Sequence, residues 1–213
     1  MGQVGVVTSA GSAYGISRSI VITAAKSDAK AIYACDINSR YFADLQNTVK
    51  ATGNDTTVEC RILDVSSEEQ TPSLIQQILK SCGQIDFYFA NAGIAYIALK
   101  YGSQAMSMAS SGKPTPKGNI VVTSSCATLG RAFAGMAYTA AKNGCNGLVK
   151  SGAVQLSSSN IRVNAVAPGP TTTSIFPTSE LAEEGVEYKL EKTAEEIQNE
   201  LAIIYQRFGV GEG

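Results

Sequence analysis

Residues 4–17 read Val4-Gly5-Val6-Val7-Thr8-Ser9-Ala10-Gly11-Ser12-Ala13-Tyr14-Gly15-Ile16-Ser17, and their reading decides the fold. The stretch opens on a short apolar run of the kind that forms a buried strand. It breaks in a turn rich in Gly and Ser, and resumes in a helix predicted over 16–26, with Ile16, Ile20 and Ala24 at helical spacing. A strand that passes through such a turn into a helix gathers free backbone N–H groups and the positive end of the helix dipole at one point. That point suits an anion, and Gly11 and Gly15 let a pyrophosphate approach the backbone ahead of Ile16. An ordinary strand-to-helix turn uses the same residues, so the motif takes its weight from the residues downstream of it.

The unit repeats along the chain. Residues 31–35 predict a second strand ending at Asp36, and Tyr41, Leu45, Thr48 and Val49 mark a helix stopped by Gly53. A third strand is predicted over 58–65, and Ser66-Ser67-Glu68-Glu69 fits a capping box that starts the next helix. Leu74, Ile75, Ile78 and Leu79 form the buried stripe of that helix, and Gly83 ends it. Strands are predicted over 85–90 and 120–124, with a helix over 96–110 and a loop over 112–118 between them. A helix over 138–156 carries Ala141, Cys145, Leu148, Gly152 and Leu156 on one side, and a sixth strand covers 161–166. Alternation of this kind predicts an α/β fold: a doubly wound parallel sheet, Rossmann-like, three-layer α/β/α, in a single domain. Residues 1–177 would form its dinucleotide-binding and catalytic part. Residues 178–213 read as a charged helical appendage, with a capping box at Thr193 and Glu196 ahead of Ile197, Leu201 and Ile204.

Composition removes several function classes. The net charge is −1 with no basic run, which leaves no electrostatic footprint for nucleic acid or an anionic membrane. No stretch approaches the ~20 apolar residues that span a bilayer, and no signal peptide is visible, so a cytoplasmic protein is expected. Cys35, Cys60, Cys82, Cys126 and Cys145 are odd in number and widely spaced, which predicts reduced thiols. There is no histidine, so the usual general base and the usual serine triad are absent. Proton chemistry falls to Tyr, Lys, Asp, Glu or Cys, and no metal site is predicted.

Two positions then carry physical weight. Asp36, at the end of the second strand, can hydrogen-bond the 2′-hydroxyl of an adenosine ribose and would repel a 2′-phosphate. NAD(H) is therefore favoured, and the nearby Arg40 keeps NADP(H) open. Tyr138-Thr139-Ala140-Ala141-Lys142 puts a phenol and an ammonium on one helix face. A free phenol titrates near ~10. A neighbouring cation favours the phenolate, so the tyrosine can exchange a proton with an alcohol or carbonyl oxygen.

The Gly11–Ser17 turn, Asn91-Ala92-Gly93, Ser125 placed 13 residues before Tyr138, and Asn164-Ala165-Val166-Ala167-Pro168-Gly169 occur in this order. Together they resemble the short-chain dehydrogenase/reductase family over residues 4–173. The resemblance implies hydride transfer between a nicotinamide cofactor and a substrate carbon. It implies that Tyr138 passes the proton, Ser125 orients the reacting oxygen, and Lys142 holds the ribose and tunes Tyr138. Cofactor contacts are implied at Gly11, Gly15, Ile16, Asp36, Asp64, Val65, Asn91, Ala92, Gly93, Tyr138, Lys142, Pro168, Gly169, Thr171 and Thr173. The partner would be a small-molecule carbonyl or alcohol. Ala132, Phe133, Ala134, Met136, Ile175 and Phe176 make an apolar one the expectation.

The sequence also departs from the family. Ser9 stands where many members carry glycine, and Ser17 where the third glycine of the turn falls. The stretch between Gly93 and Ile120 is short. The family's catalytic Asn has no counterpart there, and a homo-oligomer built on that helix is in doubt. The chain ends soon after Arg207-Phe208-Gly209, where relatives continue into a helix and a seventh strand. These departures favour an alternative, a relative that binds a dinucleotide or a partner without turnover.

Overall fold

A computed structural model describes residues 2–92, 94–129, 135–169, 171 and 173. The expectations for Gly93, residues 130–134, Pro170 and residues 174–213, the appendage included, lie outside the described residues.

Six strands form one parallel sheet: β1 Val4–Thr8, β2 Ala31–Asp36, β3 Thr57–Ile62, β4 Phe87–Ala90, β5 Gly118–Thr123 and β6 Ile161–Val166. Their order is β3-β2-β1-β4-β5-β6. The chain winds outward from β1 in one direction, then returns to β4 and winds outward in the other. This reversal opens a crevice at the carboxyl ends of β1 and β4, where open α/β sheets bind ligands.

Both faces are built from the strand alternation. Helices α1 (Ile16–Lys26) and α2 (Phe42–Lys50) lie on one face. There Val21, Ala25, Leu45 and Val49 pack with Val7, Ile32 and Ala34. On the other face lie α3 (Gln70–Cys82), α4 (Ala95–Ile97), α5 (Ser103–Met106) and α6 (Met136–Gln155). Leu74, Ile78, Leu99, Met106 and Cys145 pack there against Val6, Tyr33, Tyr88, Ile120 and Val163. Each large aliphatic side chain fully buried in this way contributes about 1.5–3 kcal/mol. The five cysteines are unpaired thiols. Among the described residues no helix is long and apolar enough to cross a membrane.

The predicted boundaries of α1 and β6 coincide with the observed ones, and others shift for local reasons. Edge strand β3 stops at Ile62, and Leu63 turns into the core, so Asp64 and Val65 lie beyond the strand. The capping box predicted at Ser66–Glu69 does not form, and Glu69, which precedes α3, makes no side-chain cap bond. Ser67 Oγ accepts from Gln70 N at 3.2 Å, and Gln70 Oε1 accepts from Asp64 N at 3.0 Å. Gln70 reaches past Ser67 to Asp64 N, so the two bonds do not close into a reciprocal box. α3 ends as predicted at Gly83, whose φ of 76° a side chain would resist. The helix expected over 96–110 runs over 95–106 and widens to a π-turn at Ala98–Gly102. α6 begins at Met136, so Tyr138 sits in its first turn.

Candidate active site

The glycine turn is tied down on both sides. Thr8 Oγ1, at the end of β1, donates to Phe89 O and accepts from Asn91 N and Ala92 N at 3.1 and 3.2 Å. One hydroxyl thus joins the carboxyl ends of β1 and β4. Ser9 adopts φ 61°, which explains why glycine suits this position. Ser17 is fully buried, and its Oγ donates to Thr8 O at 2.6 Å. The serine in the third glycine position therefore fits and fastens α1 to β1.

The N-terminus of α1 has no side-chain cap at Gly15 and no acidic residue in its first turn. Its leading N–H groups and dipole are left for an anionic ligand. Gly11 N donates to Asp36 Oδ2 at 2.8 Å, and Asn38 N donates to Oδ1 at 3.0 Å. A Cβ on Gly11 would lie 2.1 Å from Asn38 O, so the turn and the β2 end touch only because residue 11 has no side chain. The Asp36 carboxylate stands beside the turn, and each oxygen keeps a lone pair for a sugar hydroxyl. Arg40 lies over the Tyr41 ring, 5.3 Å from its centroid.

Other expected contacts are placed unevenly. Asp64 is exposed, and its carboxylate accepts from Ser66 Oγ and Ser66 N. The hydroxyl, then the N–H, holds this carboxyl below the usual carboxylate range. Val65 packs on the core. Pro168 O accepts from Cys126 N at 3.0 Å, and Thr171 Oγ1 donates to Gly169 O at 3.0 Å. Thr171 and Thr173 share a groove of about 1270 Å³ with Tyr14, Gly15 and Ile16, floored by Phe89 and Val121.

Ser125 and Lys142 lie at the carboxyl end of β5, and Tyr138 lies beside Lys142. Ser125 lies two residues past the strand, is buried, and accepts from Ala127 N at 3.2 Å. This caps a short 3-10 turn at Cys126–Thr128. Tyr138 is 47% exposed. Lys142 follows one turn later, with Nζ 5.7 Å from the centroid of the Tyr138 ring. The same ammonium donates to Thr123 O at 2.8 Å, and Ser124 Oγ donates to Lys142 O at 3.4 Å. Tyr138 and Lys142 are thus brought together, and Lys142 is fixed to β5. Among the described residues, no hydrogen bond joins Tyr138 to Ser125. Such bonds are often long without ligand and tighten in the reacting complex.

Thr8 and Thr123 escape a reading of the sequence. Thr123 Oγ1 is buried beside the Lys142 anchor and has no hydrogen-bond partner among the described residues. The only signal for either is a threonine ending an apolar run.

Comparison with known proteins bears on this geometry. A family model described as enoyl-(acyl carrier protein) reductase matches residues 10–199. (+)-Borneol dehydrogenase 1 of Salvia officinalis is 30% identical over 82% of this chain and 72% of its own length. 3beta-Hydroxysteroid dehydrogenase 2 of Eggerthella lenta is 29% identical over 82% of this chain and 73% of its own. The crystal structure of carveol dehydrogenase from Mycobacterium avium in complex with NAD superposes with a TM-score of 0.68 at 26% identity. That superposition covers 78% of this chain and 70% of the other.

Proposed function

The chain belongs to the short-chain dehydrogenase/reductase family, and from that premise we propose that Tyr138, Lys142 and Ser125 are its catalytic residues. The chain is an oxidoreductase of hydroxyl and keto carbons that works with a nicotinamide cofactor. The residues present fit such a group: α1 is uncapped, its first turn holds no acid, and Asp36 flanks the turn. When bound, the nicotinamide supplies or accepts the hydride.

The protein's own groups do the rest. Tyr138 gives its proton to a carbonyl oxygen, or takes one from an alcohol. The Lys142 ammonium lies one turn away, 5.7 Å from the centroid of the phenol ring. One of its three N–H donors serves Thr123 O, and the others, without a partner among the described residues, can serve ribose hydroxyls. Ser125 Oγ accepts from Ala127 N and donates to no described residue, so its own proton can be given to the reacting oxygen. The observation that carries this reading is Lys142 anchored to β5 within reach of Tyr138.

NAD(H) is the proposed cofactor, because the Asp36 carboxylate would repel a 2′-phosphate. Gly11, Gly15, Ile16, Asp64, Val65, Asn91, Ala92, Gly93, Pro168, Gly169, Thr171 and Thr173 are proposed as its contacts. Residues 1–177 are read as the dinucleotide-binding and catalytic part, and residues 178–213 as an appendage. The substrate class is a small apolar secondary alcohol or ketone, in keeping with the names of the borneol, carveol and hydroxysteroid relatives. A second reading, dinucleotide binding without turnover, rests on the lack of a counterpart to the family's catalytic Asn in the short stretch between Gly93 and Ile120.

Titration with NADH and NADPH, followed by assays with cyclic terpenoid and steroid alcohols and ketones, separates the two. Tighter NADH binding with turnover supports the first reading. Binding without turnover on any substrate selects the second, and absence of binding removes both.

A further inference from the structure

Tyr138 and Lys142 stand on α6, whereas Ser125 is the N-cap of the 3-10 turn Cys126–Thr128. The geometry of the reaction therefore depends on how this turn is held against that helix. Bonds within the turn fix Ser125 itself. Ser125 Oγ accepts from Ala127 N at 3.2 Å, and Ser125 O accepts from Thr128 N at 3.1 Å and Thr128 Oγ1 at 2.8 Å. Cys126 N, bonded to Pro168 O at 3.0 Å, holds the turn from the β6 side. The tie to α6 is made by Thr128. Its hydroxyl gives its one proton to Ser125 O and accepts from Asn146 Nδ2 at 3.0 Å. Asn146 lies on α6 four residues after Lys142 and eight after Tyr138, along the same side of the helix.

We infer that Asn146 and Thr128 are positioning residues for the reaction: the chain Asn146–Thr128–Ser125 sets the Ser125 hydroxyl against Tyr138 and Lys142. The inference rests on Ser125 as the residue that orients the reacting oxygen. Asn146 lies about 12 Å along the helix axis from Tyr138, so it acts through Thr128 and not on the substrate. Its amide is placed for that task. Asn143 Nδ2, nearby on α6, donates at 2.9 Å to Thr139 O of its own helix, whereas the Asn146 amide crosses to the turn. By filling a lone pair of the Thr128 hydroxyl, Asn146 also leaves that proton aimed at Ser125 O. Lys142 ties α6 to the end of β5, through Nζ to Thr123 O and through Lys142 O to Ser124 Oγ. Ser125 is thus bracketed by two contacts with α6, one at Ser124 and one at Thr128.

A hydroxyl displaced by a fraction of an ångström from the reacting oxygen loses much of its effect on the transition state. Asn146→Leu keeps the volume of the side chain and removes its donor. It should lower kcat about tenfold. NADH affinity and the limbs of the pH–rate profile should stay at wild-type values, because Tyr138 and Lys142 keep their places.

Kinetics of single and combined variants test the chain of bonds. Thr128→Val should match Asn146→Leu, and Thr128→Ser, which keeps the hydroxyl, should retain most of the wild-type kcat. In a Ser125→Ala background, Asn146→Leu should cost nothing further, because the tie then has no hydroxyl to position. Asn143→Ala, which removes only a bond within α6, is the control and should leave kcat unchanged. Hydrogen exchange reads the same tie without turnover. Peptides covering residues 124–129 should exchange several-fold faster in Asn146→Leu than in wild type, and peptides covering 57–62 should not change. A full further loss of kcat from Asn146→Leu in the Ser125→Ala background, a shifted pH limb, an inactive Thr128→Ser, or unchanged exchange over 124–129 would each overturn the inference. An unchanged kcat in Ser125→Ala alone would instead overturn the proposed role of Ser125, and the inference with it.

Discussion

At the amino end of the sheet, Asp86, Gln84 and Lys113 are all buried and all bonded. Asp86 Oδ2 accepts from Val4 N at 2.9 Å and Gln84 Nε2 at 2.8 Å. Lys113 Nζ donates to Ile85 O, Met106 O and Lys117 O at 2.8, 3.0 and 3.3 Å, which uses all three of its protons. Burial pushes this ammonium below its usual value, and the Asp86 carboxylate opposes the shift. The carboxyl end is built otherwise. Tyr138 is half exposed, α1 begins uncapped, and the buried Thr123 hydroxyl has no partner among the described residues. Polar groups at the amino end complete one another and stabilise the fold. Those at the carboxyl end are held in place but left incomplete, and incomplete polar groups are what a ligand can satisfy.

Substitutions at the two ends should therefore fail in different ways. The largest effect is expected at Tyr138→Phe, which removes only the phenolic hydroxyl. Turnover should fall about 10³-fold, while NADH affinity and Tm stay at wild-type values, as read by steady-state kinetics, fluorescence titration and calorimetry. A matching loss of Tm would place Tyr138 among the structural residues and break the comparison. Lys113→Met is the opposite case. It takes the ammonium from the buried carbonyls of Ile85 and Met106 and from the part-buried one of Lys117, and should cost about 3 kcal/mol. For a chain of this size that lowers Tm by roughly 8 °C, with activity per folded molecule unchanged at low temperature. If kcat fell in the folded protein, the amino end would be coupled to the chemistry.

Thr8→Val lies between these cases, because Thr8 serves structure at the site itself. The change keeps the shape and leaves Asn91 N and Ala92 N without an acceptor. The end of β4 should loosen where the dinucleotide is proposed to lie. The dissociation constant for NADH should rise about tenfold, equivalent to about 1.4 kcal/mol, and kcat at saturation should change little. Titration beside saturated turnover reads the two separately, and an unchanged affinity would show that the β1–β4 tie does not shape the cofactor site.

How much of this is legible in the sequence depends on whether the signal is local. α1 and β6 are readable to the residue because each is a short periodic run with a turn at both ends. Tyr138 and Lys142 are readable because one helix turn separates them. The parallel, doubly wound sheet follows from alternation alone. The end of β3 misleads, because Leu63 continues the apolar pattern while its side chain leaves the sheet for the core. The start of α3 misleads because the Gln70 side chain bonds Asp64 N, six residues away, and no box closes at Ser66–Glu69. The Thr8 tie spans more than eighty residues, and Lys113 reaches back to Ile85. Such pairs exist only once the strands are in register, so nothing in the local sequence marks them. Ser125 is located by spacing, but its bond to Ala127 N depends on a 3-10 turn that no pattern announces.

The smallest expected effect discriminates most sharply between the two ends. Thr123 Oγ1 is buried beside the carbonyl that anchors Lys142, with no partner among the described residues. An idle buried hydroxyl costs free energy, so the isosteric Thr123→Val should stabilise the fold by about 1 kcal/mol. The backbone carbonyl that holds Lys142 is unchanged by the substitution. If the hydroxyl is idle, Tm should rise by roughly 3 °C and kcat should not change. If it serves the reaction, through a water or by steadying the Lys142 anchor, Tm should stay level and kcat should fall, most visibly where Tyr138 must be deprotonated. A pH–rate profile of Thr123→Val beside wild type separates these outcomes. A loss confined to the acidic limb would place Thr123 with the positioning residues of the carboxyl end.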